Sequence, residues 1–228
     1  MATQAQAPAF RDAERKQLSM LASAEKKTLV WLAERMPAWV NSDHLTALGL
    51  LGNALAGVAY ALAGRDPHWL HVVNLCLFLN WFGDSLDGTV ARVRNRLRPR
   101  YGFYVDHLVD AFGALFLLVG LAASGLVSER LALALLVVYF LFSINMYLAT
   151  CSLGVFKLSY GLFGGTELRI LLAVVNLLAL AYPRVELWDR SFLLFDLLAG
   201  FGAAVLAIIT LRSAAQVTKR LYDQERLE

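Results

Sequence analysis

Six long apolar runs constrain this sequence more than any other feature. They fall at about 45–63, 69–90, 103–126, 131–153, 167–182 and 192–211. An α-helix rises about 1.5 Å per residue, so roughly 20 residues cross a hydrocarbon core about 30 Å thick. Backbone polar groups in lipid must pair within the protein, and for single runs of this length only a helix pairs them locally. The expected fold is all-α: a polytopic membrane protein with six transmembrane helices. The fifth run is the shortest. Composition agrees, because 58% of the residues are hydrophobic and 17% charged, against about half and a quarter in a soluble domain.

The segments around these runs complete the layout. Residues 1–8 are small and polar and are expected to be disordered. Residues 9–40 read as an amphipathic juxtamembrane helix, with Leu18, Leu21, Leu29 and Leu32 on one face and Trp31 and Trp39 nearby. Such a helix can lie in the membrane interface or pack on the cytoplasmic end of the bundle. Its charges exclude a cleavable signal, which needs an apolar run directly after a short basic stretch. Asn41, Ser42 and Asp43 offer side-chain oxygens to cap the first span. Pro99 is expected to break the basic connection after the second span, a Gly-rich stretch at 161–165 precedes the fifth, and 183–190 reads as a polar loop. The membrane domain is thus 41–212, followed by a charged tail at 213–228.

Charge placement sets the orientation. With the N-terminus in the cytoplasm, all but Arg65, Arg130, Arg184 and Arg190 of the 21 Lys and Arg fall on the cytoplasmic side. That asymmetry follows the positive-inside rule and predicts both termini in the cytoplasm. If the source is prokaryotic, the membrane is the bacterial inner membrane. The net charge of +3 gives no reason to expect nucleic acid. Cys76 and Cys151 lie in apolar surroundings without a Cys-x-x-Cys or Cys/His pattern, so neither disulfide nor zinc is expected.

Carboxylates within membrane spans cost about 2.5–3.5 kcal/mol each on the insertion scale and call for a functional reason. Asp84, Asp87, Gly88, Ala91 and Arg92 follow i, i+3, i+4, i+7, i+8 spacing, which puts them on one face of the second helix. Asp106 and Asp110 are one turn apart on the third, with Gly102 a turn earlier. A short connection makes these helices antiparallel neighbours, with all four aspartates near their cytoplasmic ends. Four convergent carboxylates repel unless cations sit between them. All-oxygen ligands suit a hard divalent ion, Mg²⁺ or Mn²⁺. Gly88 and Ala91 clear the helix surface and Arg92 can meet a phosphate, so the set reads as a diphosphate site. Structural pairing of the aspartates with Arg94, Arg96, Arg98 or Arg100 is the competing explanation. The arginines from 92 to 100 can also attract anionic lipid head groups.

Asp84, Asp87, Gly88, Ala91, Arg92, Gly102, Asp106 and Asp110 match every fixed position of D-x₂-D-G-x₂-A-R-x₈₋₉-G-x₃-D-x₃-D. In this the chain resembles the CDP-alcohol phosphotransferase family. The resemblance implies that Asp84, Asp87, Asp106 and Asp110 hold the metal, with two ions expected. Asp110 would also act as general base on the acceptor hydroxyl. Gly88, Ala91, Arg92 and Gly102, with Asp84 and Asp87, would bind the CDP moiety, and CMP would leave after in-line attack. It also implies a homodimer.

The substrates are less constrained. CDP-diacylglycerol with a soluble alcohol acceptor is the first reading. The alternative is a CDP-linked choline or ethanolamine with diacylglycerol as acceptor. His107 favours that version, because the Asp106-His107 pair resembles the Asp-His-Gly-x-Asp of that subgroup, although Leu108 stands where the Gly would be. His107 is a candidate second base. Lys157, Glu167 and Arg169, with Arg212, are candidates for acceptor binding. Outside the family, a prenyltransferase would bind a diphosphate but usually separates its two Asp-rich motifs widely. A divalent-cation transporter would need carboxylates on more helices and a path to both sides. Asn53, Asn74, Asn80, Asn145 and Asn176 lie in spans, where interhelical hydrogen bonding is their expected role. Asp196, alone in the sixth span, suggests no function.

Overall fold

A computed structural model of the chain describes residues 22–153 and 164–226. Among these, the element order is α1 (Ala22–Arg35), α2 (Ser42–Ala63), α3 (Trp69–Val93), α4 (Pro99–Ala123), α5 (Glu129–Leu153), α6 (Gly165–Ala181), β1 (Arg184–Leu187), β2 (Arg190–Leu193) and α7 (Leu194–Gln224). The expected disorder at 1–8 and the first part of the juxtamembrane helix lie outside the described residues, as do Lys157 and most of the Gly-rich stretch.

Each of the six apolar runs is a helix, with ends that differ from the sequence reading for local reasons. Asn41 caps α2 as expected: its side chain accepts the His44 N–H at 3.0 Å. Pro99 does not simply break the basic connection. It occupies the first turn of α4, where a missing N–H costs nothing and the fixed φ suits the helix. The polar loop at 183–190 is in fact half of an antiparallel hairpin, pairing Arg184 with Leu193 and Leu187 with Arg190. Its two-residue turn puts Trp188 at φ 49° and Asp189 at φ 57°, the left-handed pair that a tight hairpin requires. The tail is helical too, since α7 continues to Gln224.

α2 is the hub, packed along α3 and α4; α6 and α1 lie against α3, and α5 bridges α4 and α7. Small residues allow the close approach. A side chain at Gly57 would collide with the Phe116 carbonyl, and one at Gly120 with the Gly57 carbonyl. In lipid there is little hydrophobic drive between helices, so backbone proximity and interhelical hydrogen bonds carry association. The span asparagines supply such bonds. Tyr60 donates to Asn176 Oδ1 at 2.9 Å, Asn176 donates to Asn74 Oδ1 at 2.7 Å, and Asn74 donates to the Ala173 carbonyl at 3.2 Å, so α2, α3 and α6 share one chain of bonds. Asn145 ties α5 to Ser213 of α7 at 2.9 Å. Asp196 also finds a structural role: it accepts the Ser128 N–H at 2.6 Å, just before α5.

Among the described residues, four helices, α2, α4, α5 and α7, are long and apolar enough to cross a membrane. Their outer faces expose Leu51, Leu55, Val58, Phe112, Phe116, Val119, Leu141, Ile144 and Leu148, far more apolar surface than a protein in water leaves uncovered. The chain is an integral membrane protein. α3 carries Asp84, Asp87 and three asparagine or histidine residues within its length, and α6 has 17 residues; both are less apolar or shorter than the other four.

α1 buries Leu29 and Ala33 in a cluster with Val40, Leu45, Leu86 and Val90, while Trp31 and Trp39 stay exposed. It therefore packs on the α2 and α3 ends and also presents an aromatic surface.

Candidate active site

α3 and α4 bring their aspartates into one electrostatic neighbourhood. The charges of Asp84, Asp106 and Asp87 all bear on Asp110, and so does that of Arg169. Asp84 and Asp106 likewise bear on Asp87. Spacing of i, i+3 and i, i+4 puts each pair on one face of its helix, but α3 and α4 are not the direct neighbours that their short connection suggests: both pack chiefly against α2 and little against one another.

Asp84 and Asp87 are oriented by partners from other helices. Asp84 Oδ2 accepts a hydrogen bond from Arg169 Nη2 at 2.7 Å. The same guanidinium donates through Nε to Asn80 Oδ1 at 2.7 Å, and Asn80 Nδ2 donates to the Gly49 carbonyl of α2 at 2.9 Å. Asp87 Oδ2 accepts from the Thr46 hydroxyl of α2 at 2.6 Å, and its Oδ1 contacts the Gly88 N–H. Asp106 Oδ2 lies 3.8 Å from His107 Nδ1.

His107 is held tightly. Its Nδ1 is 2.6 Å from the Phe103 carbonyl. Its ring packs 4.2 Å from the Phe103 ring and meets the Tyr147 ring edge-on at 4.8 Å, centroid to centroid. Tyr147 also donates to the His107 carbonyl at 3.3 Å. These bonds orient the imidazole beside Asp106.

The donor-side residues present open surface. A Cβ placed on Gly88 or Gly102 would meet no protein atom within 4 Å, so packing does not demand glycine at either position. Ala91 lines a groove of about 360 Å³ together with Asn41, Ser42, Asp43, Val90, Arg94, Arg96, Leu97 and Arg98. Arg92 is exposed at the end of α3.

The arginines after α3 do not pair with the site. Arg94 donates to the Met36 and Pro37 carbonyls at 2.8 and 3.0 Å and to the Val40 carbonyl, tying the end of α3 to the segment between α1 and α2. Arg98 pairs with Asp43. The pairing explanation is therefore right only in kind: an arginine does hold Asp84, but it is Arg169, from α6. Of the other acceptor candidates, Glu167 Oε2 accepts the Gly164 N–H at 2.9 Å and so caps α6, Arg212 is exposed on α7, and Lys157 lies outside the described residues.

Sequence reasoning missed Thr46, whose bond to Asp87 spans 41 positions. It also missed Tyr139 and Tyr147 of α5. Both lie near Ser143 and within reach of the Asp110 charge. A Tyr-x₃-Ser-x₃-Tyr pattern at helical spacing inside an apolar run was the available signal.

The donor set fits a divalent cation in kind. Four carboxylates face one Arg in a half-buried site, which leaves negative charge for cations to balance. Among the described residues, no three His, Cys, Asp or Glu side chains converge on one point, because Asp84 and Asp87 are turned toward Arg169 and Thr46.

The family described as CDP-alcohol phosphatidyltransferase matches residues 39–210. The chain is similar to cholinephosphotransferase 1 of Homo sapiens, at 27% identity over 177 residues, covering 73% of this chain and 42% of that protein. It is 30% identical over 171 residues to cholinephosphotransferase 1 of Xenopus laevis, covering 70% and 40%. Against the Gallus gallus protein of the same name it is 28% identical over 184 residues, covering 77% and 53%. The chain thus spans about half or less of the length of these relatives. The eight aspartate, glycine, alanine and arginine positions of α3 and α4 all fall within the matched region, and on that match this protein belongs to the CDP-alcohol phosphatidyltransferase family.

Proposed function

We propose that this protein transfers a phosphoalcohol group from a CDP-linked donor to an alcohol hydroxyl and releases CMP. The observation that carries the reading is the shared field of Asp84, Asp87, Asp106 and Asp110 beside the open surface at Gly88 and Gly102. The four aspartates would hold Mg²⁺ or Mn²⁺, as two ions, which when bound would neutralise the diphosphate and stabilise the leaving phosphate. Gly88, Ala91 and Gly102 let the donor approach the helix backbones, and Arg92 pairs with a phosphate oxygen. Asp110 takes the proton of the attacking hydroxyl. His107 holds its neighbourhood in place and is the second candidate for that proton.

The similarity to cholinephosphotransferases and the Asp106-His107 pair favour a CDP-linked polar head group as donor and diacylglycerol as acceptor. Leu108, in place of a glycine after His107, favours the second reading, in which CDP-diacylglycerol donates to a soluble alcohol. Arg169, Glu167 and Lys157 then belong to the acceptor side. In either case α3 and α6 complete six spans, the site and both termini face the cytoplasm by the charge asymmetry, and two copies form a homodimer.

The test is CMP release by purified protein with Mg²⁺ or Mn²⁺. CDP-choline or CDP-ethanolamine is offered with diacylglycerol, and CDP-diacylglycerol with a panel of soluble alcohols. Acceptor-dependent CMP release that is lost in Asp110→Asn supports the transferase and identifies its donor. No CMP from any donor, with no metal-dependent CDP binding, overturns it.

A further inference from the structure

α1 lies before the family match, which begins at residue 39, yet it reaches the site. One oxygen of Glu25, Oε1, accepts hydrogen bonds from Trp81 Nε1 of α3 at 2.9 Å and from the Thr166 hydroxyl of α6 at 2.7 Å. Trp81 is three residues before Asp84, and Thr166 three before Arg169. Residues three apart on a helix sit on the same face, one turn apart. α3 and α6 run antiparallel, since Asn74 of α3 meets Ala173 and Asn176 of α6 while Asn80 and Asp84 meet Arg169. Trp81 and Thr166 therefore lie one turn from Asp84 and Arg169 in opposite axial directions, and Glu25 bridges the same two helices beside that bond.

Few other bonds hold α6 to α3 at this end. The Asn74, Tyr60 and Asn176 chain ties them further along, about two turns from Arg169. Gly164 and Gly165 open α6, and glycines at a helix start give the backbone latitude rather than stiffness. Glu25 supplies the missing restraint. α1 in turn is seated by Leu29 and Ala33 against Leu86 and Val90 of α3, and Leu86 is itself between Asp84 and Asp87 in sequence. Arg94 closes the arrangement by gripping the Met36, Pro37 and Val40 carbonyls that follow α1.

We propose that Glu25 is a positioning residue for the aspartate site: it clamps the first turn of α6 to α3 so that Arg169 meets Asp84 and Asn80 in register. The proposal rests on the reading of those aspartates as a metal site. It adds a residue that the family match does not contain, and it assigns α1 a part in the site besides membrane contact. Partners that orient a ligand typically change metal affinity about 10- to 100-fold when removed.

The experiment uses the full chain in detergent and two readouts, neither of them turnover. Mn²⁺ binding is followed by electron paramagnetic resonance, and amide hydrogen exchange is followed across the first turn of α6. Glu25→Ala, which removes both bonds, is expected to weaken Mn²⁺ binding roughly 10-fold and to speed exchange at residues 166–169. Glu25→Gln keeps a carbonyl oxygen that can accept both bonds, so it is expected to restore both readouts to within about 2-fold of the parent, a rescue that general loss of packing does not predict. If Glu25→Ala does not yield folded protein, Thr166→Val and Trp81→Phe each remove a single donor, and each is expected to give part of the effect. Parent-like Mn²⁺ binding and parent-like exchange in these variants overturn the proposal. If the parent itself binds no Mn²⁺, the metal reading of the aspartates falls, and the exchange readout alone then decides whether Glu25 clamps α6.

Discussion

Arg169 of α6 donates a 2.7 Å hydrogen bond to Asp84 of α3, across 85 positions of sequence. It joins the helix that carries half of the aspartate site to a helix that carries none of it. The pair is partly exposed, with Arg169 at 18% and Asp84 at 31% side-chain accessibility, so solvent moderates its strength. Its value lies in orientation, because the planar guanidinium bonds Asn80 and Asp84 at once.

Arg169→Ala removes both bonds and the local positive charge. CMP release should fall roughly 10- to 100-fold in kcat/KM, the usual effect of losing a group that orients a ligand residue. Arg169→Lys keeps the charge but not the fork, and should recover only part of the activity. Steady-state CMP release over a range of donor concentrations tests both. Parent-like kinetics in Arg169→Ala would mean the pair is incidental to the site.

Asp110→Asn removes the proposed base without changing side-chain size. The rate of CMP release should drop at least about 100-fold, within the range a general base contributes. Metal-dependent CDP binding, measured calorimetrically, should weaken much less than turnover, because Asp84, Asp87 and Asp106 remain to hold the metal. An active Asp110→Asn enzyme would transfer the role of base elsewhere, with His107 next in line.

Gly88 and Gly57 should respond oppositely to a side chain. Nothing in the protein occupies the space beyond Gly88, so Gly88→Leu should fold normally and raise the donor KM at least roughly 10-fold by filling space the donor needs. Gly57 faces the Phe116 backbone, so even Gly57→Ala should cost about 1–3 kcal/mol of stability through overpacking. Thermal unfolding in detergent, read beside donor kinetics, separates the two effects.

Tyr60 lies far from the chemistry, among Leu70, Val73 and Phe195. Tyr60→Phe deletes only its bond to Asn176 and should cost about 0.6 kcal/mol, the mean for such bonds between membrane helices. Asn176→Leu strands both Tyr60 and Asn74 and should cost more. Reversible unfolding in mixed detergent micelles measures each, and turnover per folded molecule should not change in Tyr60→Phe.

Local spacing made the central part of the site legible. Asp84, Asp87, Gly88, Ala91 and Arg92 share a helical face by period alone, and Asp106 and Asp110 follow one turn apart. The same holds for the helices, because runs of about 20 apolar residues leave a backbone in lipid little alternative. Asn41 as the cap of α2 was readable for the same reason: its bond reaches only three residues along the chain.

Long-range partners were not legible. Thr46 on Asp87, Arg169 on Asp84 and Glu25 on Trp81 and Thr166 join positions 41 to 141 apart. Each depends on how two helices rotate and slide against one another, and one sequence does not encode that rotation in any local period. The hairpin escaped notice because its turn uses Trp188 and Asp189 at positive φ instead of the Asn-Gly or Asp-Gly that signal such turns. The sequence by itself determined the helices, the signature and the family resemblance, since all three are written in short-range spacing. Only the tertiary structure decided which arginine faces Asp84, which hydroxyl faces Asp87 and where α1 rests, because those are settled by close packing at Gly57, Gly83 and Gly120 and by buried hydrogen bonds between helices.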